Sequence, residues 1–206
     1  SRDISAQLLS KKAHQFRDFF NIKTSAIIIP QTTSETRNYI PLGFVDDKYI
    51  ISNAARVIYE AEIWMFSILT SKIHNNWVQA VAGRLETRIQ YSNTLCYNTF
   101  PFLPISQSQK EELEQCVFRI LEERENHSEK TLAQLYDPEK MPDGLREAHR
   151  LNDLAVERCY RSKPFDTDEE RLEYLFKLYE QMIADEKEKG TLFESEKKAK
   201  KTRKIK

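Results

Sequence analysis

Apolar side chains change their spacing near the middle of this 206-residue chain, and the change limits the possible folds. Before residue 104, short apolar runs such as Ala26-Ile27-Ile28-Ile29 end at a proline or a polar turn, as strands do. After residue 107, apolar residues recur every three or four positions, as on one face of a helix. The sequence therefore predicts an α+β first part, an all-helical second part and a boundary near residues 103–107.

The first part is predicted to mix helices and strands. The helices are predicted at residues 4–20, 62–69 and 72–82, and the strands at residues 26–30, 39–45, 49–52, 56–59 and 85–91. Gly83 fits the left-handed position that often follows a helix end. Residues 95–102 are predicted to be extended, because prolines interrupt the chain there.

The second part carries start signals for several helices. Ser108 and Glu111 have the spacing of a capping box, as do Thr167 and Glu170, and Pro142 suits the first turn of a helix. Apolar periodicity is lost from residue 187, which predicts a disordered basic tail. The predicted organisation is a domain at 1–104, a helical domain at 105–186 and a tail at 187–206.

Charge is unevenly distributed, although the net charge of the chain is +0. Residues 1–104 carry 11 Lys/Arg against 8 Asp/Glu, and residues 105–195 carry 14 against 23. The last 11 residues carry 7 against 1. A mildly basic first part suits a module that reads DNA, and it suits many other functions as well.

The cysteines and histidines do not indicate a metal site. The three cysteines lie far apart, form no CxxC pair and share no zinc-type spacing with the four histidines. An odd number of scattered cysteines fits a reducing compartment. No signal peptide or long apolar run is visible, so we expect a cytoplasmic protein without a membrane partner.

Several motifs follow one another in a recognisable order. In the first part they are Tyr39-Ile40-Pro41-Leu42-Gly43-Phe44, Phe66-Ser67-Ile68-Leu69, Ala80-Val81-Ala82-Gly83-Arg84-Leu85, Tyr91-Ser92 and Tyr97-Asn98-Thr99-Phe100-Pro101-Phe102. In the second part, Leu135-Tyr136-Asp137-Pro138 precedes Leu151-Asn152 and Val156. This order resembles the target-recognition domain and the helical C-terminal domain of the MmeI-like type IIG/IIL DNA methyltransferases. The resemblance covers most of residues 25–183.

The resemblance implies that the chain is a fragment of a bacterial restriction-modification enzyme. The parent would transfer a methyl group from S-adenosylmethionine to adenine N6 in a short asymmetric site, and magnesium is a further candidate cofactor if an endonuclease is fused to it. The implied partners are double-stranded DNA and the N-terminal methyltransferase domain of the same parent chain. The chain has four glycines without a GxG pair and no Asn-Pro-Pro sequence, so we expect no catalytic, cofactor-binding or metal-binding residues in it.

Glu35 and Arg37 are the candidate base-reading residues. They lie two apart in a polar stretch, and in an extended chain such residues point the same way. Arg can donate to guanine N7 and O6 together, and Glu can accept from cytosine N4. The resemblance places base reading in this part of the chain. The alternative is that the two charges belong to a surface ion pair.

Further candidate DNA contacts follow the Gly83 motif. Arg84 and Arg88 could contact DNA, and three polar side chains could hydrogen-bond to phosphate. These three are Tyr91, Ser92 and Asn98. The alternative for all five is packing or solvent exposure. His74 is interpreted as a structural histidine, and Asn152, near the apolar face of its helix, is expected to cap or bridge a neighbouring element through hydrogen bonds.

Two other functions stay open at this point. The acidic helical part could be a protein–protein interaction scaffold without DNA contact. A complete small enzyme is the second possibility, although no nucleophile–base pair is visible. Asp143 together with Asp185-Glu186-Lys187 matches a nuclease motif only as text, and we interpret these residues as solvated helix charges.

Overall fold

A computed structural model describes residues 25–202 of the protein, and it describes side chains for residues 25–188. The helix predicted at residues 4–20 lies outside the described residues. Strands and helices are mixed up to residue 104, and the described residues after it form helices joined by loops. The predicted α+β class with a helical C-terminal part is confirmed.

The elements follow one another along the chain without large gaps. The strands are β1 (Ala26–Pro30), β2 (Thr32–Ser34), β3 (Gly43–Val45), β4 (Ala55–Tyr59), β5 (Gly83–Leu85) and β6 (Arg88–Gln90). The helices are α1 (Ile63–Thr70), α2 (Lys72–Val81), α3 (Gln107–Glu125), α4 (Leu132–Leu135), α5 (Asp143–Tyr160) and α6 (Asp168–Thr202), and a π-helix, Asn93–Tyr97, precedes α3.

Strand β1 is the centre of an antiparallel sheet with the order β3-β1-β4. Its Ile27 and Ile29 are buried, as a central strand requires. Residues 49–52, predicted as a strand, lie instead in the loop between β3 and β4. Tyr49 and Ile50 are 60% and 56% exposed there. The strand prediction at 49–52 is wrong because these apolar side chains have no sheet surface to pack on.

A second antiparallel sheet has the order β2-β6-β5. The predicted single strand at residues 85–91 is wrong, because a turn at Glu86 and Thr87 divides that region into a hairpin. Glu86 has a φ of 56°, the left-handed conformation that tight turns need. Gly83 does not adopt the left-handed conformation predicted for it, since no described glycine has a positive φ. Helix α2 is followed by an extended Ala82 that leads directly into β5.

Helices α1 and α2 confirm the predicted pair, with Ser71 between them. Ser71 is extended, and its Oγ accepts from the N–H of His74 at 3.4 Å, which caps α2. The predicted extended stretch at 95–102 is wrong at its start. It begins inside the π-helix, where the N–H of Asn98 donates to Asn93 O at 2.8 Å.

The helices of the second part begin at polar caps, although not always at the predicted ones. Helix α3 is capped by Ser106 with Gln109 rather than by Ser108 with Glu111, because the helix begins two residues earlier than predicted. Thr167 caps α6 as predicted, since its Oγ1 accepts from the N–H of Glu170 at 3.2 Å.

Helix α6 continues through Thr202. The loss of apolar periodicity predicts a disordered tail from residue 187, whereas the structure has helix from there to residue 202. Lys and Glu dominate residues 186–201. These residues have high helix propensity, so a helix can form there without an apolar face.

Two hydrophobic clusters cross the boundary between the two parts. In the first, Ile27 and Leu69 share a cluster with Val117 and Leu145 from α3 and α5. In the second, Trp77 of α2 shares a cluster with residues of α3, α5 and α6. Neither part therefore buries its apolar surface alone.

A buried cation also joins the two parts. Arg124 of α3 is 9% exposed, and its Nη1 donates to Leu42 O at 2.8 Å. Its Nε donates to the Tyr136 hydroxyl oxygen at 2.9 Å, and its Nη2 reaches the same oxygen. The Tyr136 hydroxyl lies 2.7 Å from His149 Nε2. Burial and the Arg124 charge hold the pKa of His149 well below its usual range, so that imidazole is neutral.

Candidate nucleic-acid interface

The segment that follows β2 carries the two candidate base-reading residues. We call residues 35–39 the reading segment. It begins in a turn, where the N–H of Arg37 donates to Ser34 O at 3.3 Å. The N–H of Glu35 donates to Thr87 O at 3.2 Å, which ties the segment to the β5–β6 hairpin. Glu35 and Arg37 are both partly exposed.

Glu35 lies beside Arg84. Arg84 Nη1 forms an ion pair with Glu35 Oε2, and the two side chains are 47% and 35% exposed. Arg84 Nη2 also donates to the Gln79 main-chain oxygen at 3.3 Å and to Gln79 Oε1 at 3.4 Å. An exposed pair of this kind contributes about 0–1 kcal/mol, so Arg84 can exchange Glu35 for a phosphate at small cost.

Arg37 and Arg88 contact groups other than this pair. Arg37 Nη2 donates to the main-chain oxygen of Ala133 in helix α4 at 3.4 Å, which is a long hydrogen bond. Arg88 is opposite Ser34 in the β2–β6 ladder, and its Nη2 is 3.5 Å from Glu86 Oε2. Its side chain is 55% exposed. The structure thus brings Glu35 and Arg84 together. Arg84 is opposite Ile89 in the β5–β6 ladder, so the side chains of Arg84 and Arg88 leave opposite faces of the second sheet.

Tyr91 does not belong to this surface, which corrects the sequence prediction. Its side chain is 1% exposed, and its hydroxyl lies 3.1 Å from His74 Nε2. Burial lowers the pKa of His74 to about 3, so the imidazole is neutral and structural, as interpreted from the sequence. Tyr91 follows β6 with its ring turned into the core, and it cannot reach a phosphate from there.

Ser92 and Asn98 flank the π-helix. Ser92 is half-buried, and its N–H donates to Cys96 Sγ at 3.4 Å. Asn98 is exposed immediately after the π-helix. Of the three predicted phosphate-binding side chains, Asn98 is therefore the most accessible.

Two amides of α2 hold the main chain of the reading segment, and the sequence analysis missed both. Asn75 Nδ2 donates to Arg37 O at 3.2 Å and to Asn38 O at 2.9 Å. Gln79 Nε2 donates to Glu35 O at 3.1 Å. Their spacing could have indicated this shared role, because two amides four residues apart lie on one face of a helix.

The last residue of the reading segment is anchored in the second part. The Tyr39 hydroxyl donates to Asp153 Oδ2 at 2.7 Å, and the N–H of Lys72 donates to Asp153 Oδ1 at 2.7 Å. Burial raises the pKa of Asp153 to about 7. Its neighbour Asn152 bridges to Ser67 through two hydrogen bonds, which confirms the bridging role expected for Asn152.

An open cavity of about 510 Å³ lies beside Tyr39. Its walls carry three basic and two acidic side chains in addition to Asn38 and Tyr39; they are Lys72, Arg146, Arg150, Asp143 and Glu147. Arg150 already binds Glu147 through two contacts of 2.7 Å, and Lys72 is 3.2 Å from Asp168. The basic groups of the cavity are thus partly neutralised by neighbouring carboxylates.

Other kinds of site have little support within the described residues. No group of three or more His, Cys, Asp or Glu side chains between residues 25 and 188 could hold a metal ion. No helix in the described part of the chain is long and apolar enough to cross a membrane.

Family models assign both parts of the chain. Residues 1–104 match the model described as "MmeI, target recognition domain", and residues 105–186 match "MmeI, C-terminal domain". The chain belongs to the MmeI family. The resemblance seen in the ordered sequence motifs is therefore confirmed.

Two relatives agree with this assignment to the MmeI family. DNA methyltransferase A of Bacillus subtilis (strain 168) is 46% identical over 182 residues. The solved structure of the type IIL restriction-modification enzyme MmeI in complex with DNA is 38% identical, with a TM-score of 0.83 over 89% of this chain. The chain spans 21% of the first relative and 25% of the second.

The two MmeI-family matches divide the candidate interface. Glu35, Arg84 and the amides of α2 lie in the target-recognition match. Asp153, which holds Tyr39, lies in the C-terminal match. The reading segment is thus built from one matched domain and anchored in both.

Proposed function

We propose that this chain is the sequence-reading module of a DNA adenine-N6 methyltransferase. The likeness to a DNA-bound MmeI structure over most of the chain is the observation that carries the proposal. The accessible, polar reading segment beside a small antiparallel sheet adds to it, since the major groove admits a two-stranded β-ribbon with its side chains. The partners are double-stranded DNA and a methyltransferase domain of the same parent protein.

In this proposal Glu35 and Arg37 read bases, and the surrounding groups bind phosphate. Glu and Arg are complementary to the two bases of a G·C pair or to those of neighbouring pairs. Arg88, Ser92 and Asn98 are assigned to the phosphate backbone, and Arg84 is shared between Glu35 and phosphate.

We assign methyl transfer to a part of the parent protein outside these residues. S-adenosylmethionine would be the methyl donor there, as expected of a relative of a DNA methyltransferase. The residues of this chain do not fit that cofactor, because the chain has no GxG turn and no described glycine has a positive φ. Purified alone, the chain should therefore incorporate no labelled methyl group into DNA.

A charge exchange in the full-length protein tests base reading. Glu35→Arg combined with Arg37→Glu should change the methylated sequence at one position, because a good bidentate contact is worth roughly 1–3 kcal/mol of discrimination. The measurement is a map of N6-methyladenine in DNA from cells that express the protein. Cofactor binding should stay at the wild-type level.

The control is a matched exchange on α6. Glu173→Lys with Lys177→Glu reverses an exposed ion pair of 2.7 Å and also keeps the net charge. It should leave the methylated sequence unchanged. A wild-type map from the Glu35/Arg37 exchange would show that these two residues form only a surface charge cluster.

A further inference from the structure

The main chain of the reading segment is held by side chains that the proposed function does not use. Asn75 and Gln79 occupy three carbonyl oxygens, those of Glu35, Arg37 and Asn38, at 2.9–3.2 Å. These bonds go to main-chain atoms, so they can form whatever side chains occupy positions 35 and 37. They fix the direction in which those side chains leave the backbone.

Asn75 is the more buried of the two amides. It is 6% exposed, while Gln79 is only half-buried. A buried amide that donates to two carbonyl oxygens is costly to replace, because both oxygens would lose this donor. Asn75 therefore holds the centre of the reading segment most firmly.

The end of the segment is fixed by residues of α5. The Tyr39 ring stacks on His149 with 4.2 Å between ring centroids, and its hydroxyl donates to Asp153. Asp153 is 8% exposed and is itself fixed by the N–H of Lys72 at 2.7 Å. A residue of the helical part thus sets the position of a residue two places after Arg37.

We propose that Asn75 and Asp153 are positioning residues for base reading: they hold the reading segment so that Arg37 and Glu35 meet the base edges. The inference rests on the proposed function. Bidentate contacts to bases need a donor pair in a narrow range of position and angle, and contacts of this kind lose their discrimination when their support loosens. Neither residue would contact DNA itself.

The chain offers a matched pair of variants for the test. Tyr39→Phe removes one hydroxyl that donates to α5, and Ser67→Ala removes another, which donates to Asn152 Oδ1 at 2.5 Å. Both hydroxyls are buried and both bonds connect the first part to adjacent residues of α5. They differ in that Tyr39 ends the reading segment and Ser67 lies within α1.

The experiment uses the full-length protein and measures kcat/KM for methylation of the recognised DNA and of DNAs changed at one base pair. The ratio of kcat/KM for the recognised DNA to kcat/KM for DNA changed at the position read by Arg37 measures discrimination there. Tyr39→Phe should lower this ratio by about five- to tenfold, which is part of the discrimination that a bidentate contact provides. Asn75→Ala should lower that ratio at the same position. Ser67→Ala should keep the wild-type ratio, although its melting temperature falls as that of Tyr39→Phe does.

Two results would overturn the inference. One is a wild-type ratio for both Tyr39→Phe and Asn75→Ala. The other is an equal loss of discrimination in Ser67→Ala, since lower stability would then explain the loss. If Asn75→Ala does not fold, the comparison of the ratios for Tyr39→Phe and Ser67→Ala decides the test alone.

The Glu35/Arg37 exchange, assayed alongside, separates this inference from the proposed function. If the exchange leaves the methylated sequence unchanged, base reading by the segment fails, and the inference fails with it. If the exchange changes the sequence while Tyr39→Phe and Asn75→Ala keep wild-type ratios, only the positioning role fails.

Discussion

Ionisable side chains occur in two contrasting settings in this protein. At the second sheet, Glu35 and Arg84 form an ion pair, and their side chains are 35% and 47% exposed. Between the two parts of the chain, Arg124 and Asp153 are each less than 10% exposed and bind groups from distant positions. The exposed pair can change partners, whereas the buried groups can only lose them.

The difference teaches where stability and specificity reside. An exposed ion pair contributes little to folding, because water and salt screen it. A buried polar group that loses its partner costs the full desolvation of what remains. We therefore expect the junction to set the stability of the fold and the exposed pair to set its contacts with DNA.

The largest effect is expected from Arg124→Ala. It leaves Leu42 O and the Tyr136 hydroxyl without their buried donor, and it removes a guanidinium 5.3 Å from the Phe66 ring centroid. The free energy of unfolding should fall by about 3–5 kcal/mol, as measured by urea denaturation. Arg150→Ala is the control, because Arg150 is 57% exposed and its ion pair is with Glu147 on its own helix. A loss of stability of similar size in Arg150→Ala would contradict the difference between buried and exposed charges.

A pH-dependent effect is expected from Asp153. Its folded-state pKa is raised to about 7 by burial, above the usual value of 3.8, so the folded protein keeps a proton that the unfolded chain releases. The contribution of Asp153 to the free energy of unfolding should then fall as pH rises from about 5 to 7, by at most about 1.4 kcal/mol per pH unit. It opposes the rise that the buried, neutral His74 and His149 give in the same window, because the unfolded chain protonates both imidazoles there. Asp153→Asn cannot release a proton, so its free energy of unfolding should rise with pH more steeply than that of the wild type in this window.

The control for this titration is an exposed carboxylate on the same helix. The hydrogen bond to Arg150 lowers the pKa of Glu147 below its usual value of 4.5, so Glu147 keeps its charge throughout the window. Glu147→Gln should therefore keep the wild-type slope. Parallel curves for wild type and Asp153→Asn between pH 5 and 7 would mean that Asp153 is ionised in the folded protein.

The smallest effect on stability is expected from Arg84→Ala. Because its partner Glu35 is accessible to water, the free energy of unfolding should change by no more than about 0.5 kcal/mol. DNA affinity should nevertheless decrease across all sequences, with a smaller dependence on salt, if Arg84 neutralises a phosphate. Arg88→Ala should behave in the same way, and a large loss of stability in either variant would place these arginines with the junction instead.

The local elements could be predicted because their cause is local. Apolar spacing follows from the helical repeat, and it located α1, α2 and α5 to within a few residues. Strands were less predictable: residues 49–52 have a suitable composition, but they lack a neighbouring strand. The capping pair of α3 was misplaced by two residues, because Ser106 and Ser108 both fit the capping-box pattern and the helix begins after the first of them.

The sequence by itself determined the fold class, the family and the bridging character of Asn152, since ordered motifs and periodicity are properties of the chain alone. Only the tertiary structure decided the partners. Tyr39 and Asp153 are 114 residues apart in the sequence and meet because the α5 helix packs against the first part. Tyr91 is polar enough to suit a phosphate contact, yet the packing of β6 turns its ring into the core. Such pairings depend on which surfaces meet during folding. The local sequence around a residue does not specify which distant residue it will contact or which way its side chain will point.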